Sequence, residues 1–212
     1  MMNKQIYFIR HGESTKNIND LFGDEKCSFE LTDKGIAESK RIVERLKAII
    51  NESKKDFKLF TSPDLRSTMT TDIISNLLNC NYEVINSMLP IKAGKLSGIS
   101  EEEAINTYPK IMIHKKKFRE GSLCGYNISY PEGENVKQFQ NRVLEDFNQI
   151  ANQSCKIIFI ISHQSVITAI LSFIKAQLEK RDFYYYWKID LLSISKVTAK
   201  ASIYDIEYIN SI

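Results

Sequence analysis

The sequence predicts an α/β fold: a three-layer sandwich with a mostly parallel central sheet, helices on both faces and a small cap region. Two observations carry this. Ile6-Tyr7-Phe8-Ile9 and Ile157-Ile158-Phe159-Ile160-Ile161 are unbroken apolar runs, the pattern of strands buried on both faces. Longer stretches with apolar residues at helical spacing separate such runs, and that alternation is typical of βαβ units.

The elements follow in order. Leu59-Phe60 reads as a shorter buried strand, and Tyr82 to Ile85 as a weaker one. Ile36, Val43, Leu46 and Ile50 share one helical face behind a cap at Thr32. Leu65, Met69, Ile73 and Leu77 form a second stripe. Val136, Phe139, Val143, Phe147 and Ile150 form a third, and Val166, Ile167, Ile170, Leu171 and Ile174 a fourth. Leu191 to Val197 and Ser202 to Tyr208 read as two more strands, with Lys200 and the alternation after Ile203 marking a partly exposed edge. Residues 92–131 are expected to be irregular. They carry Gly94, Gly98, Gly121 and Gly125 and are placed as a cap over one end of the sheet.

Composition bounds the rest. A chain of 212 residues has room for one large core, so residues 1–212 read as a single domain. A net charge of +3 is too small to argue for nucleic acid. Its one basic run is Lys115-Lys116-Lys117 with Arg119, read first as a solvated face and second as a lip that attracts anions. Cys27, Cys80, Cys124 and Cys155 are far apart, which suggests neither a zinc site nor a disulfide framework. Reduced thiols and the lack of a leader before Arg10 suggest a cytoplasmic protein. No apolar stretch has membrane-spanning length.

Three strand candidates end in chemically capable residues: Arg10-His11-Gly12-Glu13-Ser14, Thr61-Ser62-Pro63 followed by Arg66, and Ser162-His163. Open α/β sheets bind ligands beyond the carboxyl ends of their strands, and helix N-termini there favour anions. Two arginines can fork phosphate oxygens. One neutral imidazole can attack phosphorus while a second, protonated one stabilises charge on the equatorial oxygens. No metal or other cofactor is needed for such a site. Ser62-Pro63 reads as a helix start with proline at the first helical position.

These residues resemble the signature of the histidine phosphatase superfamily, which includes the cofactor-dependent phosphoglycerate mutases. Arg10-His11-Gly12-Glu13-Ser14 with Asn17 matches its first motif, Leu31-Thr32-Asp33-Lys34-Gly35 its LTxxG segment, and Ser62-Pro63-Asp64-Leu65-Arg66 with Thr70 its SPxxR stretch. Gly94 to Gly98, Pro131-Glu132-Gly133-Glu134 and Ser162-His163 follow in the family's order. The resemblance implies that His11 is the nucleophile that becomes phosphohistidine, and that Arg10, Arg66 and His163 complete the phosphate pocket. Asn17 would contact phosphate, Gly12 would let the backbone pass close to the ligand, and Ser62 would orient His11. The implied activity is a metal-independent phosphatase acting on small phosphomonoesters. A homodimer is left open.

Three positions depart from the family. Pro90 stands where the family usually has the Glu that protonates the leaving group. Losing a general acid slows expulsion of a poor leaving group by roughly 10²–10⁴-fold. Glu101, Glu102, Glu103, Glu83 and Glu13 are candidate replacements. Pro90 therefore keeps a non-catalytic phosphate-binding protein open as an alternative; mutase-type phosphoryl transfer is a second. Gln164 replaces the usual Gly after the second histidine, where its amide either bonds a phosphate oxygen or crowds the pocket. Met69 replaces the usual Gln. His114 has no motif around it and is expected at the surface.

Overall fold

A computed structural model describes residues 4–23, 28–52, 56–200 and 203–211. Its elements run β1 (Lys4–Arg10), α1 (Thr15–Ile18), α2 (Asp33–Glu52), β2 (Phe57–Thr61), α3 (Leu65–Leu78), β3 (Glu83–Val84), α4 (Glu101–Thr107), α5 (Pro109–Arg119), α6 (Val136–Ala151), β4 (Ile157–Ser162), α7 (Gln164–Glu179), β5 (Ile194–Lys200) and β6 (Ile203–Ser211). Six strands form one sheet in the order β3-β2-β4-β1-β5-β6. The first four are parallel; β5 runs antiparallel to both β1 and β6.

Alternation along the strands separates two cores. Ile6, Phe8, Phe60, Ile158 and Ile160 face α6 and α7, packing with Phe139, Val143, Phe147, Ile167 and Ile170. Tyr7, Ile9, Leu59, Phe159 and Ile161 point the other way, onto Ile42, Val43, Leu46 and Ile50 of α2 and Ile74 of α3. This makes three layers. It also explains the unbroken apolar runs, because a strand covered on both faces needs apolar residues at every position.

Helix ends are set by polar side chains. Thr32 Oγ1 accepts from the Gly35 amide at 3.0 Å and caps α2, as its position predicts. Asn135 and Gln138 form a reciprocal capping box on α6.

Three expectations need correction. Residues 92–131 are not irregular throughout: they contain α4, capped by Ser100, and α5. A separate small core of Phe22, Ala93, Leu96, Ala104 and Met112 holds them. The Ser62-Pro63 helix start lies too early, since Asp64 is the cap of α3 and accepts from the Arg66 amide. β5 begins at Ile194; Leu191 and Leu192 form a turn, in which Leu192 has φ +54°. Residue Ser202, the expected start of the last strand, lies outside the described residues, as does Cys27. Cys80, Cys124 and Cys155 are free thiols. Among the described residues, no helix is long and apolar enough to cross a membrane.

Candidate active site

The parallel register brings the motifs together. Arg10 sits level with Ser162 at the ends of β1 and β4, so His11 and His163 leave adjacent strands side by side. The His11 amide bonds the Ser162 carbonyl at 2.9 Å. Their rings lie 5.2 Å apart at 59°, and each residue is 3% exposed.

The hydrogen bonds fix the tautomers of the two imidazoles. His11 Nδ1 lies 2.7 Å from the Gly12 carbonyl, which can only accept, so Nδ1 carries the proton. Arg66 Nε donates to His11 Nε2 at 3.2 Å, so Nε2 presents its lone pair. A second Arg66 nitrogen lies 3.3 Å from His163 Nδ1, leaving His163 Nε2 to donate to Ser62 Oγ at 2.9 Å. Arg66 is thus the hinge between the two imidazoles, and it pairs with Asp64 at 3.0 Å with both side chains almost fully buried. Arg10 donates to the Ile189 carbonyl at 2.6 Å and to Gln164 Oε1 at 3.2 Å. Its buried Nε has no partner; a buried donor in that state favours an anion beside it.

Electrostatics follow from this crowding. Burial, then the charges of Arg66 and Arg10, push His11 well below the usual imidazole range, which keeps it neutral. His163 is pushed the same way by burial and Arg66. His163 is therefore neutral in this structure, not protonated as expected; burial is the largest cause, and the charges of Arg66, Arg10 and Lys16 add to it. Arg10 is lowered to about 10, chiefly by burial.

Arg10, His11, Asn17, Arg66, His163 and Gln164 line one cavity of about 390 Å³. Two expected site residues do not. Ser62 lies behind His163 and orients it, not His11. Gly12 turns its missing Cβ away from the cavity: a methyl there would sit 2.9 Å from Ser39 Oγ and 3.0 Å from the Gly35 carbonyl. The reciprocal position is tighter still, since a Cβ on Gly35 would meet the Glu13 carbonyl at 2.1 Å. These glycines let α2 press against the loop carrying His11. Asn17 Oδ1 accepts from the Ser14 amide at 3.1 Å and its hydroxyl at 2.7 Å, so the amide nitrogen is what it has to offer a phosphate. Gln164 braces the wall, with Nε2 3.1 Å from the Tyr186 hydroxyl.

Pro90 is buried in the cavity wall. Of the candidate replacement acids, only Glu101 reaches the cavity. It is held by Arg119 at 2.7 Å. Glu13 bonds Thr32 and Lys34 instead, and Glu83 pairs with Lys58. Glu102 and Glu103 are exposed.

Sequence reasoning missed Lys16, the second residue of α1, and the tyrosines Tyr130, Tyr184 and Tyr186, all of which line the cavity. The basic run divides: Lys116 and Lys117 are exposed, whereas Lys115 turns inward, 3.8 Å above the Phe22 ring. Met69 does not reach the cavity, and His114 is exposed as expected. Among the described residues, no group of three or more His, Cys, Asp or Glu could hold a metal ion.

Comparison with known proteins agrees with this fold. The structure is similar to Bacillus stearothermophilus YhfR (TM-score 0.81, 18% identity, covering 99% of this chain and 98% of that one). It is also similar to the α-ribazole phosphatase from Shigella flexneri (TM-score 0.75, 16% identity, 98% and 96% covered). The mycobacterial glucosyl-3-phosphoglycerate phosphatase is a third (TM-score 0.81, 14% identity, 99% and 100% covered). No curated protein matches the sequence. The family described as histidine phosphatase superfamily (branch 1) matches residues 6–212, and the chain belongs to that superfamily.

Proposed function

We propose that this protein is a metal-independent phosphatase that hydrolyses small phosphomonoesters through a phosphohistidine on His11. The observation that carries the reading is the state of His11: neutral, with Nε2 unprotonated and facing the cavity-lining Arg66. Two of the structural relatives are themselves named phosphatases.

A phosphoryl group between Arg10, Arg66 and the two imidazoles would replace Arg66 as the partner of Nε2. The Nε2 lone pair attacks phosphorus and the ester oxygen leaves in line. Arg10 and Arg66 neutralise the equatorial oxygens. The incoming anion opposes the charges that hold His163 neutral, so substrate binding itself raises the proton affinity of His163. Water then hydrolyses the phosphohistidine and releases inorganic phosphate.

His11→Ala is expected to lower kcat/KM for 4-nitrophenyl phosphate by at least about 10⁴-fold, as loss of a covalent nucleophile does, with the fold intact by circular dichroism. Activity is expected to survive EDTA. Wild-type-like turnover by the variant, or chelator-sensitive turnover restored by Mg²⁺ or Zn²⁺, would overturn the reading. Pro90 in the wall favours a second reading, a phosphate-binding protein without turnover. Vanadate binding without turnover of 4-nitrophenyl phosphate would establish that one.

A further inference from the structure

Building on the phosphatase reading, we propose that Lys16 is the proton donor to the leaving group, taking over the task that a glutamate at position 90 would perform. The mechanism needs such a donor, and the carboxylates do not supply one. Glu101 is committed to Arg119 at 2.7 Å. Asp20 is exposed at the cavity mouth. Asp64 is locked in the buried pair with Arg66. Tyr130 is pushed up to about 12 by burial and is a weak acid.

Lys16 differs on each count. It lines the cavity beside His11 and Arg66, and no ion pair or hydrogen bond ties its ammonium to another described residue. Its stem runs close to Gly23: a Cβ added there would lie 3.0 Å from Lys16 Cε and 3.0 Å from the Phe29 ring. Its charge weighs on both His11 and His163, with which it shares the cavity. The groups facing it are Arg66, Arg10 and Lys115, which disfavour its charge, and Asp20 and Asp64, which support it. Burial is the largest influence, and Lys16 is lowered to about 8. Such a group is protonated at neutral pH yet acidic enough to give its proton to an alkoxide.

The step balances. His11 Nε2 forms the P–N bond as the bond from phosphorus to the ester oxygen breaks, and that oxygen takes a proton from the Lys16 ammonium. The products are phosphohistidine, an alcohol and a neutral amine. In the second step the amine accepts the proton of the attacking water. The P–N bond breaks, its electron pair returns to His11, and inorganic phosphate leaves.

The test compares wild type, Lys16→Met, Lys16→Arg and Glu101→Gln on 4-nitrophenyl phosphate, phenyl phosphate and glycerol phosphate across pH 6 to 10. In wild type, kcat/KM for glycerol phosphate is expected to fall as pH rises through about 8. Both Lys16 variants are expected to lose that limb and to lose roughly 10²-fold more activity on glycerol phosphate than on 4-nitrophenyl phosphate. Arginine keeps the charge but not the acidity, so rescue by Lys16→Arg would mean a fixed charge suffices and would overturn the proposal. Loss of the limb in Glu101→Gln with its retention in the Lys16 variants would overturn it too. A lysine side-chain NMR resonance titrating near 8, absent from Lys16→Arg, is expected; Lys16 titrating near 10.5 would refute the assignment. A wild type inert toward every phosphomonoester sinks the phosphatase reading as well, whereas active enzyme with an unchanged substrate ratio sinks this proposal alone.

Discussion

His11 and His163 follow directly on the ends of β1 and β4, and Arg66 lies in the first turn of α3 just past β2, on a sheet whose two faces are packed by four long helices. Lys115, Arg119 and Glu101 stand on two short helices over a core of five buried residues. The first group is almost fully buried, and each member is fixed by at least two hydrogen bonds or ion pairs. In the second, the Glu101–Arg119 pair is 33% and 45% exposed, where an ion pair contributes about 0–1 kcal/mol. The contrast teaches where rigidity is needed. In-line attack depends on reacting atoms being held within fractions of an ångström, whereas the wall that meets the rest of a substrate can be retuned without disturbing them.

That contrast can be broken in three places. Asp64→Ala is expected to have the largest effect, because it leaves Arg66 charged and buried without its carboxylate. Losing one partner of a buried pair costs about 3–5 kcal/mol, to be read from the urea midpoint. A loss below about 1 kcal/mol would mean that the floor is not held by this pair. Leu96→Ala comes next. It empties part of the small core and is expected to cost about 2–3 kcal/mol. The cost should fall locally, as faster amide exchange in α4 and α5 and a raised KM, with α6 and α7 unchanged. Equal loss of protection in α6 would mean that cap and floor unfold as one unit.

Smallest is the pH dependence, which sorts the two regions by slope. His11 and His163 are depressed in the folded protein, so below about 6.5 the unfolded chain takes up protons the native state refuses, and stability falls as pH drops. Lys115 is lowered to about 7, mainly by burial. Above that value the unfolded chain holds the extra proton, so stability rises between pH 7 and 9. His163→Gln is expected to flatten the acid slope and Lys115→Met the alkaline one, measured as urea midpoints at pH 5.5, 7 and 9. An acid slope unchanged by His163→Gln would move its origin to another group.

Much of the floor was legible because its residues follow from local pattern. Apolar runs marked the buried strands, and parallel register then forces the residues after each run to meet. Arg10, His11, Arg66 and His163 could be named on that basis. The errors arose where a side chain serves a neighbour that sequence order does not reveal. Ser62 points to His163, 101 positions away. Gly12 is required by the close approach of α2. Neutral His163 depends chiefly on its burial, and then on the cations that share its volume, which no spacing rule conveys. The cap was hardest to read. Its helices have seven and eleven residues, and their apolar contacts lie on a separate core, so no long stripe announces them. Lys115 reads as one member of a solvated run until α5 turns it onto Phe22.

The contact between Gly35 and Glu13 has a consequence for natural variation. Gly35 does not line the cavity, so a scan of cavity-lining positions would score its replacement as neutral. Yet any side chain there must shove the loop that carries His11, because the clash is with backbone and no rotamer relieves it. A survey of sequence variants should therefore find position 35 as intolerant as position 11, with inactive but soluble protein as the phenotype. Reversion should arise by change at that loop more readily than within the cavity.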